Sequence, residues 1–273
     1  MLAFAANSLL CRIALVETRI DPASFGLLRL ASGALVLMLI VRWRASDAPR
    51  PRADWLAATM LFAYVAFFSF AYRNLSASVG ALILFGAVQL TMIGAGLRAG
   101  ERFAPAAWMG LAAAIVGLVY LVSPGLAAPH PIGAISMALA GIGWGVYSLR
   151  GRGVVDPLAA TASNFARAVL PALALSLVTL GRAEADGAGV ALAITSGAIT
   201  SGIGYVIWYA ALRGLTAMRA ASVQLSVPPI AALGGVVALS EPLTPRLVVA
   251  SAAILGGIAL VLATRARATQ QRR

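Results

Sequence analysis

The sequence predicts an all-α integral membrane protein, with ten transmembrane helices arranged as two inverted-topology repeats of five. Composition is the first reason. Of 273 residues, 61% are hydrophobic and 11% charged, and the mean hydropathy is +0.91, outside the range of soluble globular domains. The second is the recurrence of apolar runs between short polar breaks. Runs of about 20 residues at about 1.5 Å rise each span about 30 Å of hydrocarbon. Inside lipid every backbone N–H and C=O must be bonded internally, so such runs are helices. The third is an internal repeat at a shift of 140 positions, the shift that takes Glu101 to Glu241. Gly100-Glu101-Arg102-Phe103-Ala104-Pro105 maps onto Ser240-Glu241-Pro242-Leu243-Thr244-Pro245, and Arg73-Asn74-Leu75-Ser76-Ala77 onto Arg213-Gly214-Leu215-Thr216-Ala217. Ala112, Ala113 and Gly117 fall on Ala252, Ala253 and Gly257.

Taken in order, run one covers about Met1 to Val16 and carries Asn7, Cys11 and Arg12. It is short for a span, and Arg12 sits where the apolar core of a signal peptide would lie. It reads as a trimmed start or as a helix beginning at the membrane edge. Run two covers about Ala23 to Trp43, before an Arg- and Pro-containing loop through Asp54. Runs three and four, about Trp55 to Tyr72 and Ser76 to Leu97, are joined by a very short turn and so are antiparallel neighbours. Run five, about Pro105 to Val122, opens with Pro at a first-turn position, where the missing N–H costs nothing. The uncharged, Pro-rich stretch from Ser123 to Pro131 separates the halves, and His130, the single His, is an expected loop residue there.

Runs six, seven and eight cover about Ile132 to Leu149, Leu158 to Leu180 and Val190 to Leu212. Asp156-Pro157 is a cap residue followed by Pro at the first helical position. Run nine, about Thr216 to Leu239, contains Pro228-Pro229, which remove two backbone donors and predict a kink or unwinding. Run ten, about Pro245 to Ala263, again opens on a cap and Pro, Thr244-Pro245. The expected units are 1–123, 132–263 and a basic, frayed tail at 264–273. Five spans is an odd number, so the second copy enters from the opposite face. That arrangement puts a binding site near the midplane and makes alternating access natural.

A net charge of +12 suggests nucleic acid only until the charges are placed. All 21 basic residues are Arg. In the ten-run scheme Arg19, Arg73, Arg182 and Arg246 fall on one side, Arg12, Arg29 and Arg167 fall within runs, and the other fourteen lie on the opposite side. This is the positive-inside bias. It places both termini in the cytoplasm and requires no nucleic-acid partner. The lone Cys11 offers no disulfide or metal spacing and reads as an inert packing residue.

The residues then support a resemblance. Phe4-Ala5-Ala6-Asn7-Ser8-Leu9-Leu10-Cys11-Arg12 resembles the first helix of EamA-type members of the drug/metabolite transporter superfamily. Gly141-Ile142-Gly143-Trp144-Gly145-Val146-Tyr147 is similar to the helix that opens the second repeat of that family. Tyr205 to Leu212 is similar to the third helix of a repeat, and Glu101 and Glu241 match the family's paired loops. The resemblance covers nearly the whole chain. It implies two EamA units in a bacterial cytoplasmic membrane and transport, mainly export, of small metabolites such as amino acids. Pro228 matches a Pro common in the ninth helix of the family, whereas the first half has Val88 followed by Gln89 at the matching place.

Polar groups in spanning helices are costly and face a cavity or a partner helix. Asn7, Gln89 and Gln224 are therefore binding candidates, with interhelical bonding as the alternative for each. Trp144, Tyr147 and Tyr205 lie deep enough in their runs to form a binding wall, and Pro228 and Pro229 are candidates for a gate. Arg12, Arg29, Arg167, Glu101 and Glu241 are expected as structural or coupling charges. Arg29 and Arg167 should pair with loop acids or carbonyls, Arg12 could also meet a substrate anion, and the two Glu should complement helix dipoles. All nine acids lie in loops or at helix ends, so no ordinary mid-membrane proton relay is predicted. With no Lys there is no P-loop lysine. No cofactor, metal or catalytic residue is expected. The expected partners are the lipid bilayer and a small solute, with the oligomeric state open. A membrane-embedded transferase and a non-transporting partner or sensor subunit are the alternative readings.

Overall fold

Local sequence starts the helices. Asp21, Asp54, Ser76, Asp156 and Asp186 each accept a backbone N–H from the first turn of the helix that follows. A Pro opens five of the helices, at Pro22, Pro105, Pro131, Pro157 and Pro245. In the computed structural model the described residues are 1–44, 52–100, 104–125, 128–151, 154–212 and 223–270, and among them every regular element is helical. The order is α1 (Leu2–Glu17), α2 (Pro22–Trp43), α3 (Trp55–Tyr72), α4 (Ala77–Arg98), α5 (Pro105–Val122), α6 (Pro131–Arg150) and α7 (Pro157–Val178). After a 3₁₀ turn at Leu180–Arg182 come α8 (Gly187–Thr195), a π-helical segment (Ser196–Ile203), α9 (Gly204–Leu212), α10 (Val227–Leu239) and α11 (Pro245–Gln270).

Among the described residues, eight stretches are long and apolar enough to cross a bilayer: α2 to α7, the continuous Gly187–Trp208 stretch, and Pro245–Thr264 of α11. The ten expected spans are therefore matched at that length by eight. α1 has 16 residues and α10 has 13. The expected run nine is interrupted by a turn at residues 225–226, just before Pro228-Pro229 in the first turn of α10, and residues 213–222 lie outside the described set. Its N-terminal part cannot be compared. The tail expected to fray is helical as far as Gln270.

Packing joins helices of the two halves: α2 lies against α7, α4 against α10 and α5 against α11, while α3 packs on α6 and α1 on both α10 and the π-helical segment. Small residues let the helices approach closely in the absence of a hydrophobic drive inside lipid. A Cβ on Gly117 would lie 2.8 Å from the Ala253 Cβ, and one on Gly257 would lie 2.8 Å from the Ala114 N and against the Gly110 carbonyl.

Each end of the bundle is fastened across the two halves. At one end, Asp21 N donates to Glu184 O at 2.9 Å and Arg19 N to an Asp186 carboxylate oxygen at 3.3 Å. At the same end Glu241 accepts from Ala77 N at 2.7 Å, and Arg246 donates to Ser123 O at 2.7 Å. At the other end Arg44 pairs with Asp156, and Arg150 pairs with Asp54 at 2.7 Å. Partial burial raises the Asp54 carboxyl, but the bonds from Arg150 and Ala57 N outweigh it and hold the group below its ordinary 3.8. A depressed folded-state value means this tie is present above the ordinary carboxylate range and is lost as pH falls through the lowered value.

The α5–α11 seam yields a matched test. Gly257→Ala should destabilise the purified protein by about 1–3 kcal/mol through overpacking, read as a lower melting temperature in detergent. Gly256→Ala, where a Cβ meets nothing within 4 Å, should leave melting unchanged. Equal behaviour of the two variants contradicts the seam.

Candidate functional site

The segment from Ser196 to Ile203 explains its own π geometry. The Thr200 hydroxyl donates to Ser196 O at 2.7 Å, taking the carbonyl that an α-helical Thr200 N–H would use. Just upstream, the Thr195 hydroxyl takes Ala191 O at 2.7 Å. Gly197 permits close approach to α2, because a Cβ there would fall on the Arg29 carbonyl oxygen and the Ser32 hydroxyl. The widened turn therefore seats against the backbone of α2 at Arg29. π-Helical turns are rare and recur at functional sites.

Arg29 is only 2% exposed. Its Nε donates to the Ser201 hydroxyl at 3.2 Å and its Nη2 to the Tyr64 hydroxyl at 3.0 Å. The guanidinium lies 5.1 Å from the Tyr64 ring centre and 5.0 Å from that of Phe68. Nη1 is buried and has no hydrogen-bond partner. The expected loop acid or carbonyl is thus corrected. Among the described residues Arg29 takes part in no ion pair; its partners are hydroxyls and ring faces.

Asn7 of α1 closes the polar cluster. Its side-chain oxygen accepts from Ser196 at 2.6 Å and Thr200 at 3.2 Å, and its nitrogen donates to the Tyr64 hydroxyl at 3.5 Å. Around the cluster stands an aromatic wall. Trp144 lies 5.0 Å from Tyr64 and 5.4 Å from Tyr205, and Phe4 lies 5.9 Å from Tyr205, all as tilted or edge contacts. These groups line a small cavity of about 20 Å³, room for about one water. Asn7, Ser8 and Arg29 enter it from α1 and α2, Tyr64 and Phe68 from α3, and Leu84 and Phe85 from α4. Trp144 comes from α6, and Thr200, Ser201 and Tyr205 from the π-helical segment and α9.

Of the residues named from sequence, Asn7, Arg29, Trp144 and Tyr205 meet in this cavity, and Gln89, Tyr147, Gln224, Pro228 and Pro229 do not line it. Tyr147 stacks on Trp144 at 5.5 Å and bonds Thr161, one layer behind the wall. Gln89 is buried in α4 with its nitrogen unpartnered, Gln224 is half-buried before the turn at 225–226, Pro228 is buried and Pro229 exposed. Arg167 bonds the Ser163 carbonyl of its own helix at 3.1 Å and faces the Trp55 ring. Arg12 sits away from the cavity, bonding Tyr72 O at 2.8 Å and approaching Glu241 at 3.9 Å. Glu241 does complement a helix dipole, but that of α4 at Ala77 and Ser78, not that of its own following helix. Glu101 lies outside the described residues. The hydroxyls of Ser196, Thr200 and Ser201 are site residues that the sequence alone did not single out. Their only signal is small polar residues spaced among Gly197 and Gly202 inside an apolar run.

The family model for EamA-like transporters matches residues 1–123 and 131–263. Over 265 residues the chain is 54% identical to an uncharacterized protein of Pseudomonas aeruginosa, covering 97% of this chain and 92% of that protein. An uncharacterized transporter of Archaeoglobus fulgidus is 23% identical over 253 residues, 90% of each chain. A protein of known crystal structure, 19% identical, covers 97% of this chain and 98% of its own with a TM-score of 0.66, a likeness of fold.

Asn7→Ala should strand the buried Ser196 hydroxyl and cost about 1–3 kcal/mol. The measurement is the melting temperature of the purified protein, and an unaltered value contradicts the tie between α1 and the π-helical segment.

Proposed function

Because this chain belongs to the EamA-like transporter family, we propose that it exports small organic metabolites, amino acids or related compounds, by alternating access at the cavity around Arg29 and Trp144. The chain is an integral membrane protein, and the proposed setting is the bacterial inner membrane with both termini in the cytoplasm. The observation that carries the proposal is the cavity itself. Its polar cluster and aromatic wall draw on both halves of the chain and lie between the two fastened ends of the bundle.

The proposed units are 1–123 and 132–263, related as inverted repeats, with 264–273 as a tail. Support comes from the seam between α5 and α11, where Gly117 faces Ala253 and Ile254 while Gly257 faces Ala113 and Ala114. Each set is the other displaced by 140 positions. The ends of α4 support inversion as well. Glu241 docks at Ala77, whereas the first-half loop that matches it in sequence begins after Arg98, at the far end of the 22-residue helix, about 33 Å away. In the proposed cycle, the ion pairs Arg44–Asp156 and Arg150–Asp54 separate when that end opens, and the Glu241 and Asp186 contacts separate when the other does. The break before Pro228-Pro229 is the proposed hinge of the gate. Gln89 and Gln224 act from outside the observed cavity, and Tyr147 acts by backing Trp144.

Cysteines placed at Arg52 and at Pro129, in a Cys11→Ala background, should react with impermeant reagents from opposite membrane faces; labelling from one face contradicts the inverted repeat. Function is tested by uptake and resistance assays with amino acids and toxic analogues, in cells with and without the gene. Trp144→Ala should reduce transport about fivefold or more, from the lost aromatic contact, and Pro228→Ala should reduce it without loss of folded protein. Full activity in both variants removes the assigned site and hinge.

A further inference from the structure

Arg29 sets an unanswered question of charge. A guanidinium stays protonated at any working pH, and taking it out of water costs several kcal/mol unless it is fully paired. Here it is 2% exposed and lies in a span, with two hydroxyls, two ring faces and no carboxylate. Its Nη1, on a residue that lines the cavity, has no partner at all. The Tyr64 hydroxyl already accepts from Arg29 and from Asn7, so its own proton is the one left to give. A buried, unpartnered guanidinium nitrogen beside a hydroxyl with a proton to donate is the complement of a carboxylate.

We infer that Arg29 is the anion anchor of the cavity and that the transported solute is a small monocarboxylate with an apolar body. As the cavity widens to admit the solute, its carboxylate completes the Nη1 and Nη2 edge of Arg29 and accepts a hydrogen bond from the Tyr64 hydroxyl, while the apolar body lies against Trp144, Tyr205 and Phe4. One buried cation among the lining residues balances one negative charge, which favours a carboxylate over a phosphate dianion and disfavours cationic solutes. This assignment rests on the carrier role proposed above, and adds to it a charge and a recognition group.

The test uses acids paired with the primary amides that remove the carboxylate charge: isovalerate and phenylacetate against their uncharged amides, and leucine and phenylalanine against amides that keep the ammonium group. Binding to the purified full-length protein is read from tryptophan fluorescence and thermal stabilisation, and transport is read in proteoliposomes. In the wild type at least one acid should bind about 10- to 100-fold more tightly than its amide, as expected of a charge-assisted pair. Arg29→Gln should bring that ratio close to one by weakening the acid alone. Arg29→Lys, which keeps the charge but loses the fork, should retain a ratio of a few-fold, and it decides the matter with the wild type if Arg29→Gln does not fold. Equal binding of acids and amides, binding of neither, or a ratio that survives Arg29→Gln overturns the assignment. Transport of amides without acid preference would remove the anchor and leave the carrier role standing. Binding of acids with the predicted ratio but no transport of any compound would do the reverse.

Discussion

A permanently charged side chain set deep among apolar helices is the constraint on which the rest of the site depends. Arg29 is only 2% exposed, and no acid stands within pairing distance among the described residues. Its partners must therefore come from neutral groups, which accounts for several otherwise separate features. The π-helical widening brings Ser201 within 3.2 Å of the guanidinium, and the missing side chain of Gly197 lets that turn rest on α2. Asn7 fixes Ser196 and Thr200 in place, and the ring faces of Tyr64 and Phe68 supply the remaining electrostatic cover. Each arrangement is a consequence of one buried charge.

The ends of the bundle follow a different rule. There water is near and full charges are affordable. Asp54 and Asp156 each cap one helix and bind an Arg from the other half of the chain. At the opposite end the same kind of tie uses backbone N–H groups on Asp186 and Glu241. Contacts of this type are directional and partly hydrated, so they can be exchanged at modest cost. The glycine-rich seam of α5 and α11 has no such freedom, since its backbones already touch. A bundle with exchangeable ends and a fixed seam suits the proposed motion about a central cavity.

Much of the fold was legible because lipid imposes strict rules. The limits of α3 and α5, Trp55–Tyr72 and Pro105–Val122, coincide with the apolar runs, and Asp156-Pro157 starts α7 as its residue types require. The eight long stretches were visible as hydropathy alone. The site was legible only in part. Asn7, Trp144 and Tyr205 could be named from polarity and depth, but the same argument also named Gln89, Tyr147 and Gln224, because depth does not say which face of a helix looks inward. Arg29 was assigned the wrong kind of partner, since its hydroxyl at Ser201 is 172 positions away. Glu241 sits four residues before Pro245, which suggested its own helix, whereas its bonds cross to α4. The π-helical segment has no periodic signature, only hydroxyls that compete for backbone carbonyls.

The central claim is that the two ends of one passage open in turn about the Arg29 cavity. Pulsed electron-spin distance measurements test it most directly, with labels at Ala53 and Gly151 for one end and at Arg19 and Ala185 for the other, in a Cys11→Ala background in lipid. The account predicts two distances at each end, with the conditions that lengthen one pair shortening the other. A single, fixed distance at both ends, unmoved by any transported solute, would contradict it.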